Sequence, residues 1–395
     1  MSLSWQLGIL AAVTFFGWLI GRVQTGRREL AVQDTQSDYF KGLAFLFENK
    51  TDEAVESFIR SLEVNPDTLE THLALGGLFR KRGETEKALM VHQNLFGRPD
   101  LPKHVTLQVQ LELARDYNSS GLLGRAEALF NDLVDQSTEL RVEALSALLE
   151  IYSSEKEWQK CIQVGQKLGR KITPAQQVAL SHYYCELAQS QIHQGELVKA
   201  AKNIKQAIST HKKNVRANLL LAELETQNKK YRAAIKQCRK AMEMNPGYAD
   251  QVLPILASLS RLDQSEKQYR QYLAELASKH PIPTIQLAYA ECLRAEDGFD
   301  FARDYLLSKV EEQPSKKGIE ALLEWQSLNT HNDQDRSTQH AMHRTLVAWL
   351  GKLSSDKPAQ SCSQCGFTTS AHLWQCPQCK NWETIADQED RLALK

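Results

Sequence analysis

Four cysteines near the carboxyl end, Cys362, Cys365, Cys376 and Cys379, form two C-x2-C pairs ten residues apart in CSQCGFTTSAHLWQCPQC (362–379). Each pair can turn a tight knuckle that aims two sulfurs at one point. Two knuckles then supply the four tetrahedral thiolates preferred by zinc or by a single iron. Backbone N–H groups directed at the sulfurs offset the surplus negative charge of such a site. Gly366 permits the positive φ that follows the first knuckle, and Pro377 stiffens the second. Phe367, Trp374 and Trp382 are expected to cover a site too small for its own core, with His372 exposed at a hairpin tip. Four protein ligands leave no open position for substrate or water, so the ion is read as structural or docking, not catalytic. Its binding contributes on the order of 10 kcal/mol to folding a module of this size. Disulfides would need an oxidising compartment, and a redox C-x-x-C normally stands singly in a βαβ context. The other four cysteines, Cys161, Cys185, Cys238 and Cys292, are isolated and read as core filling.

At the opposite end, residues 3–20 (LSWQLGILAAVTFFGWLI) carry no charge. Eighteen helical residues span roughly 27 Å, close to the hydrocarbon thickness of a bilayer. Trp5 and Trp18 flank the run at headgroup level, and Arg22, Arg27 and Arg28 follow it. A cleavable signal peptide would place its cations before the apolar stretch. The expectation is an uncleaved transmembrane anchor over 1–20 and a basic linker over 21–34, with the rest of the chain in the cytoplasm.

A period near 34 residues fills the middle. Gly42, Gly76, Ala114, Ala188, Ala222 and Ala290 are each followed twelve residues later by Ala54, Ala88, Ala126, Ala200, Ala234 and Ala302. Phe45, Phe79, Tyr117 and Leu293 lie three positions past the first small residue, and Pro66, Pro246 and Pro314 close units. Paired small residues mark where two antiparallel helices approach closely, and proline ends the second. Units start near 35, 69, 107, 142, 181, 215, 249 and 283. The fourth carries Leu149 and Cys161 at the small places and the seventh Leu256 and Gln268, so both are degenerate. A half-unit over about 317–350, ending in TLVAWL (345–350), caps the stack.

Segments such as LETQNKKYRAAIKQCRKAMEMNP (224–246) resemble tetratricopeptide repeats. The fold class expected is therefore all-α: a solenoid over 35–350, a linker over 351–361, the four-cysteine module over 362–385 and a tail over 386–395. A solenoid offers a concave wall, lined mainly by first helices, that binds another protein. Clamping a C-terminal carboxylate is disfavoured, since the relevant places hold Tyr39, Leu43, Leu73 and Gly77.

Composition narrows the function. Lys+Arg and Asp+Glu both number 48 in 395 residues, a balance unlike that of proteins that coat nucleic acid. Lys352, Lys357 and Lys380 lie in or near the metal module, but Asp387, Glu389 and Asp390 oppose them. Phosphate-binding loops, dinucleotide fingerprints, H-E-x-x-H and G-x-S-x-G are absent, which points away from an enzyme.

An anchor, tetratricopeptide-like units and a terminal double knuckle occur here in one order. With HLALGGLFRKRGE (72–84), SHYYCELA (181–188), EKEWQKCI (155–162) and CSQCGFTTSAHLWQCPQCKNWETI (362–385), the chain resembles the lipopolysaccharide assembly protein B family along its full length. That resemblance implies an inner-membrane protein facing the cytoplasm. It implies an adaptor that promotes degradation of the UDP-3-O-acyl-N-acetylglucosamine deacetylase by the membrane AAA+ zinc protease, and that gathers other lipopolysaccharide assembly proteins at the bilayer. It also implies a rubredoxin-like centre with iron on Cys362, Cys365, Cys376 and Cys379. Lys380 departs from the second glycine usual in rubredoxin, and zinc ribbons use the same ligands, so iron and zinc both stand. The alternative function is electron transfer through a rubredoxin-type iron; homo-oligomerisation is left open.

Overall fold

The structure, a computed structural model, describes residues 53, 69–99, 101–328, 360–387 and 390. The expected anchor over 1–20 lies outside them, as do the basic linker, the first repeat's small pair and residues 329–350 of the expected cap. Among the described residues no helix is long and apolar enough to cross a membrane.

The described chain is mostly helical, in a tetratricopeptide-like succession of hairpins followed by a small sheet. It divides into two compact units at Ile151 and Tyr152. In the first unit are α1 (Leu69–Lys81), α2 (Thr85–Phe96), α3 (Lys103–Ser119), α4 (Leu123–Gln136) and most of α5 (Arg141–Ser154). Gly76 of α1 faces α2 so closely that a Cβ there would collide with the His92 ring. Beside it runs a buried polar set: His92 Nδ1 bonds Asp116, and Arg80 reaches Asp116 at 2.7 Å and Glu112 at 2.6 Å.

The second unit holds α6 (Trp158–Leu168), α7 (Pro174–His193), α8 (Leu197–Thr210), α9 (Val215–Gln227), α10 (Tyr231–Met244), α11 (Ala249–Leu262), α12 (Glu266–Lys279), α13 (Pro283–Glu296), α14 (Phe299–Glu312) and α15 (Lys316–Leu328). Its sheet is β1 (Gln360–Cys362), β2 (Thr368–Thr369) and β3 (Ile385–Asp387), antiparallel with β1 central. The sheet therefore takes in Gln360 and Ser361 before the expected start of the module at 362, and Asp387 after its expected end at 385.

The paired small residues do what their spacing predicts. Ala114, Ala126, Ala188, Ala200, Ala234, Ala290 and Ala302 have no exposed surface, and Ala222 has 1 %. Two units with longer spacings absorb the excess inside their first helices. Ala114 lies eleven residues after the start of α3 and Ala188 fourteen after the start of α7, against seven for Ala222 and Ala290. Excesses of four and seven are about one and two helical turns, so the small residue keeps its facing. A Thr173–Gln176 capping box and Pro174 fix the start of the longest of these helices.

The seventh unit departs from expectation. Gln268 is exposed and its neighbour Tyr269 is buried instead. α11 runs one residue longer than the period of 34 allows, and the turn at Gln264 (φ +53°) restarts α12 one place late. That slip rotates the helix by about 100°, which moves the contact to the tyrosine. The first helices from α1 to α13 end the same way: the second residue past each has positive φ (Gly83, Gly121, Lys156, Gly195, Lys229, Gln264, Gly298). The next N–H usually bonds five residues back, as Glu196 does to Gln191.

Candidate metal centre

The two knuckles are built alike. The N–H of Cys362 donates to the carbonyl of Phe367 and that of Cys376 to Asn381; the N–H of Gly366 donates back to Cys362 and that of Lys380 back to Cys376. Both turns need a left-handed residue at the fifth place, and Gly366 (φ +76°) and Lys380 (φ +59°) occupy it. Lysine there carries a steric cost that glycine avoids. Lys380→Gly is therefore expected to stabilise the module by about 0.5–1 kcal/mol, read as a higher denaturant midpoint for metal release. An unchanged or lower midpoint would contradict the shared knuckle geometry.

The four sulfurs converge. Their Sγ atoms all lie within 4.8 Å of one another, with Cys362–Cys379 at 3.7 Å and Cys365–Cys376 at 3.6 Å. A tetrahedron with metal–sulfur bonds of about 2.3 Å has edges of about 3.8 Å, so the donor set fits one four-coordinate ion. Gln364 N–H points at Cys362 Sγ at 3.4 Å, Asn381 Nδ2 at Cys379 Sγ at 3.5 Å, and the Thr384 hydroxyl lies 3.3 Å from Cys362 Sγ. Burial opposes ionisation of Cys362, but Thr384 and the Cys365 and Gln364 amides bring its thiol down to about 6. At Cys365 the Phe367 amide favours the thiolate, yet burial and hydrogen bonding with the three other sulfurs hold the thiol at about 12. A bound cation would favour the thiolate form of its ligands. Phe367 packs against the cluster of Cys362, Cys376 and Ile385, as expected of a cover.

Trp374, Trp382 and His372 do not have the places expected of them. Instead of covering the sulfurs or standing at an exposed tip, they face the helices. Trp382 stacks on His182 of α7 (4.6 Å between ring centroids, 14° between planes) and meets Trp158 and Tyr183 edge-on. Trp374 stacks on Tyr248 (5.4 Å, 25°) beneath the Arg216 guanidinium and joins the core of α9–α13. His372 is wedged edge-on against Tyr248 and Trp374. Burial, with the nearby Arg216 cation, pushes its pKa down to about 4, so it sits there neutral. A module of this size has no interior for three large rings, and the helices provide one.

Polar contacts complete the seat. Glu383 bonds His182 Nε2 at 3.0 Å and reaches His211 at 3.5 Å. Burial keeps His182 neutral, its pKa lowered although Glu383 pulls the other way. Gln360 donates to Asp250 at 3.1 Å. Asp390 accepts from the Thr284 N–H and hydroxyl, and Lys317 lies 2.9 Å from Asp387 and 3.4 Å from Asp390. Burial opposes the Lys317 ammonium, but Asp390, Asp387 and Asp250 outweigh it and raise its pKa. One ammonium among three carboxylates leaves Asp390 and Asp250 raised by burial even so.

His182, Arg216, Asp250 and Thr284 stand 34 residues apart, and Lys317 follows after 33. They hold one repeat position in five successive first helices, the second residue of α9, α11, α13 and α15 and the ninth of the longer α7. That polar ladder is the signal which marks the seat in the sequence, and the first-helix wall expected to receive another protein is here occupied in part by the chain's own module. The isolated cysteines are packing groups: burial pushes the thiols of Cys161, Cys185 and Cys238 up to about 12 and that of Cys292 to about 11.

Comparison with known proteins finds likenesses to both the module and the repeats. A rubredoxin metal binding domain matches residues 361–387, and tetratricopeptide repeats match residues 40–90 and 185–249. Lipopolysaccharide assembly protein B of Escherichia coli (strain K12) is 29% identical over 379 residues, covering 95% of this chain and 96% of that protein. The protein of the same name from Haemophilus influenzae is 29% identical over 387 residues, with the same shares covered. Among solved structures, one of MamA covers 46% of this chain and 94% of its own at 16% identity, with a TM-score of 0.33. A tetratricopeptide repeat protein from Parabacteroides merdae covers 74% of this chain at 15% identity, with a TM-score of 0.24.

Proposed function

We propose that this chain, a homologue of lipopolysaccharide assembly protein B along 95% of its length, is a membrane-anchored adaptor that restrains lipopolysaccharide synthesis. In this reading residues 1–20 moor it to the inner membrane, with the solenoid (35–350) and module (362–385) on the cytoplasmic side. It brings the UDP-3-O-acyl-N-acetylglucosamine deacetylase to the membrane AAA+ zinc protease and gathers other assembly proteins there. Confinement to a surface raises the effective concentration of a captured client near a membrane enzyme, so modest contacts suffice.

The observation that carries the reading is the seat itself. Side chains from five first helices hold the module, so the wall and the module present one composite surface. Cys362, Cys365, Cys376 and Cys379 would hold the ion, iron as the resemblance implies or zinc. When bound, the ion supplies a cross-link that fixes both knuckles, and the chain's own residues do the rest. Trp382 and Trp374 bury the module's outer edge, while Glu383, Gln360 and Asp390 set its register on the ladder. A closed four-sulfur set agrees with a structural role.

The test is crosslinking of the full chain in native membranes followed by purification and identification of partners by mass. Recovery of both deacetylase and protease is expected, with both diminished when Trp374 and Trp382 are replaced by alanine. Recovery of neither from the wild-type chain would overturn the adaptor.

A further inference from the structure

The balanced total charge hides a lopsided distribution. Residues 197–244 hold twelve of the 48 Lys and Arg but only three of the 48 Asp and Glu, a surplus of nine positive charges. No acidic residue occurs between Leu197 and Ala222. Ten of the twelve cations are exposed: Lys199, Lys202 and Lys205 on α8, Lys212 and Lys213 after it, Lys229 and Lys230 before α10, and Arg232, Lys236 and Lys240 on α10. Only two of these ten form ion pairs among the described residues, Lys199 with Glu196 and Arg232 with Asp263. Arg216 and Arg239 are taken up internally, over Trp374 and Tyr272.

The helical geometry concentrates the charge on one side. α8 and α10 are second helices of successive units and both pack on α9. α8 buries Ala200, Ile204 and Ala207, and α10 buries Ala234, Cys238 and Ala241. Lys202 and Lys236 stand opposite those faces and 34 residues apart, so they hold equivalent places in successive units. Lys199, Lys202 and Lys205 follow at intervals of three, and Arg232, Lys236 and Lys240 at intervals of four; like charges so placed repel. Only Glu243 at the end of α10 interrupts the outer face of the two helices. A surface of this kind is relieved by an extended array of anions.

We propose that the outer face of α8 and α10, with the lysine pairs 212–213 and 229–230, lies against anionic phospholipid headgroups of the bilayer. Nine lysines and one arginine suit that partner. Lysine is a compact, mobile point charge for a fluid array of phosphates, whereas fixed phosphates read at defined places favour the arginine fork. The inference rests in part on the membrane location proposed above. It adds a second contact that would orient the solenoid on the surface to which the amino-terminal run confines it.

The test reconstitutes the full chain into vesicles of phosphatidylcholine alone or with about one third phosphatidylglycerol and labels exposed amines for mass mapping. Labelling of Lys202, Lys205, Lys236 and Lys240 is expected to fall several-fold in the anionic vesicles only, and to recover in about 0.5 M salt. The exposed Lys267 and Lys279 of α12 serve as unchanged references. Changing those four lysines to glutamate should abolish protection of Lys212, Lys213, Lys229 and Lys230 without altering the circular dichroism. Equal labelling in both vesicles would overturn the proposal, as would protection by single-stranded RNA in place of lipid. Carbonate extraction of the chain from both vesicle types would instead refute the amino-terminal anchor, while salt-sensitive protection would still stand for the patch.

Discussion

Replacing Cys362 and Cys365 together with serine is expected to eliminate a metal ion otherwise found at one per chain, and with it the fold of the module. Metal binding contributes on the order of 10 kcal/mol to such small tetrathiolate domains, and the three short strands have almost no core of their own. Phe367, Ile385 and three of the ligand cysteines, Cys362, Cys376 and Cys379, make up the cluster. Collapse should also empty the seat. His182, which has no exposed surface in the intact chain, should become reactive to diethylpyrocarbonate. The helices should keep their circular dichroism, because the small-residue pairs pack helix on helix. A variant that retained a full complement of metal, or that lost metal with His182 still protected, would contradict the coupling of ion and seat.

Trp382→Ala separates the seat from the ion. The indole is 9 % exposed and contacts His182, Trp158 and Tyr183. Truncating a buried tryptophan costs about 3–5 kcal/mol. The loss falls on docking, since Trp382 packs outward and the four ligands stay intact. Metal content should remain at one per chain while His182 and Lys317 become accessible to labelling. Loss of the metal in this variant would mean that the indole shields the sulfurs, as its place in the sequence had led us to expect. Retention of metal with both side chains still protected would mean that Trp374, His372 and Asp390 hold the module without it.

The two features that were legible in the sequence are those whose geometry is local. A C-x2-C knuckle closes within six residues, so its spacing is the structure, and the equal hydrogen bonding around Cys362 and Cys376 follows from it. The helical hairpins were legible because close approach demands small residues at fixed separation, and Ala188/Ala200 and Ala222/Ala234 satisfy it. Gln268 failed because one added residue in α11 changes helical phase without changing composition. Trp374, Trp382 and His372 were misplaced for a different reason. Their partners Tyr248, His182 and Arg216 lie 124 to 200 residues away in sequence, and a local reading gave them the nearest hydrophobic task available. The ladder from His182 to Lys317 was visible as polar residues at one repeat position. Its purpose emerges only when the module is seated on it. The basic face of α8 and α10 was hidden by summing charge over the whole chain.

The most direct test of the account is a pulse-chase of the deacetylase in cells whose sole copy of this chain lacks residues 1–20. An untethered but folded chain, with metal bound and His182 protected, should leave the deacetylase as long-lived as in cells without the chain. A deacetylase half-life equal to that seen with the full chain would contradict the claim that mooring at the membrane is how this protein acts.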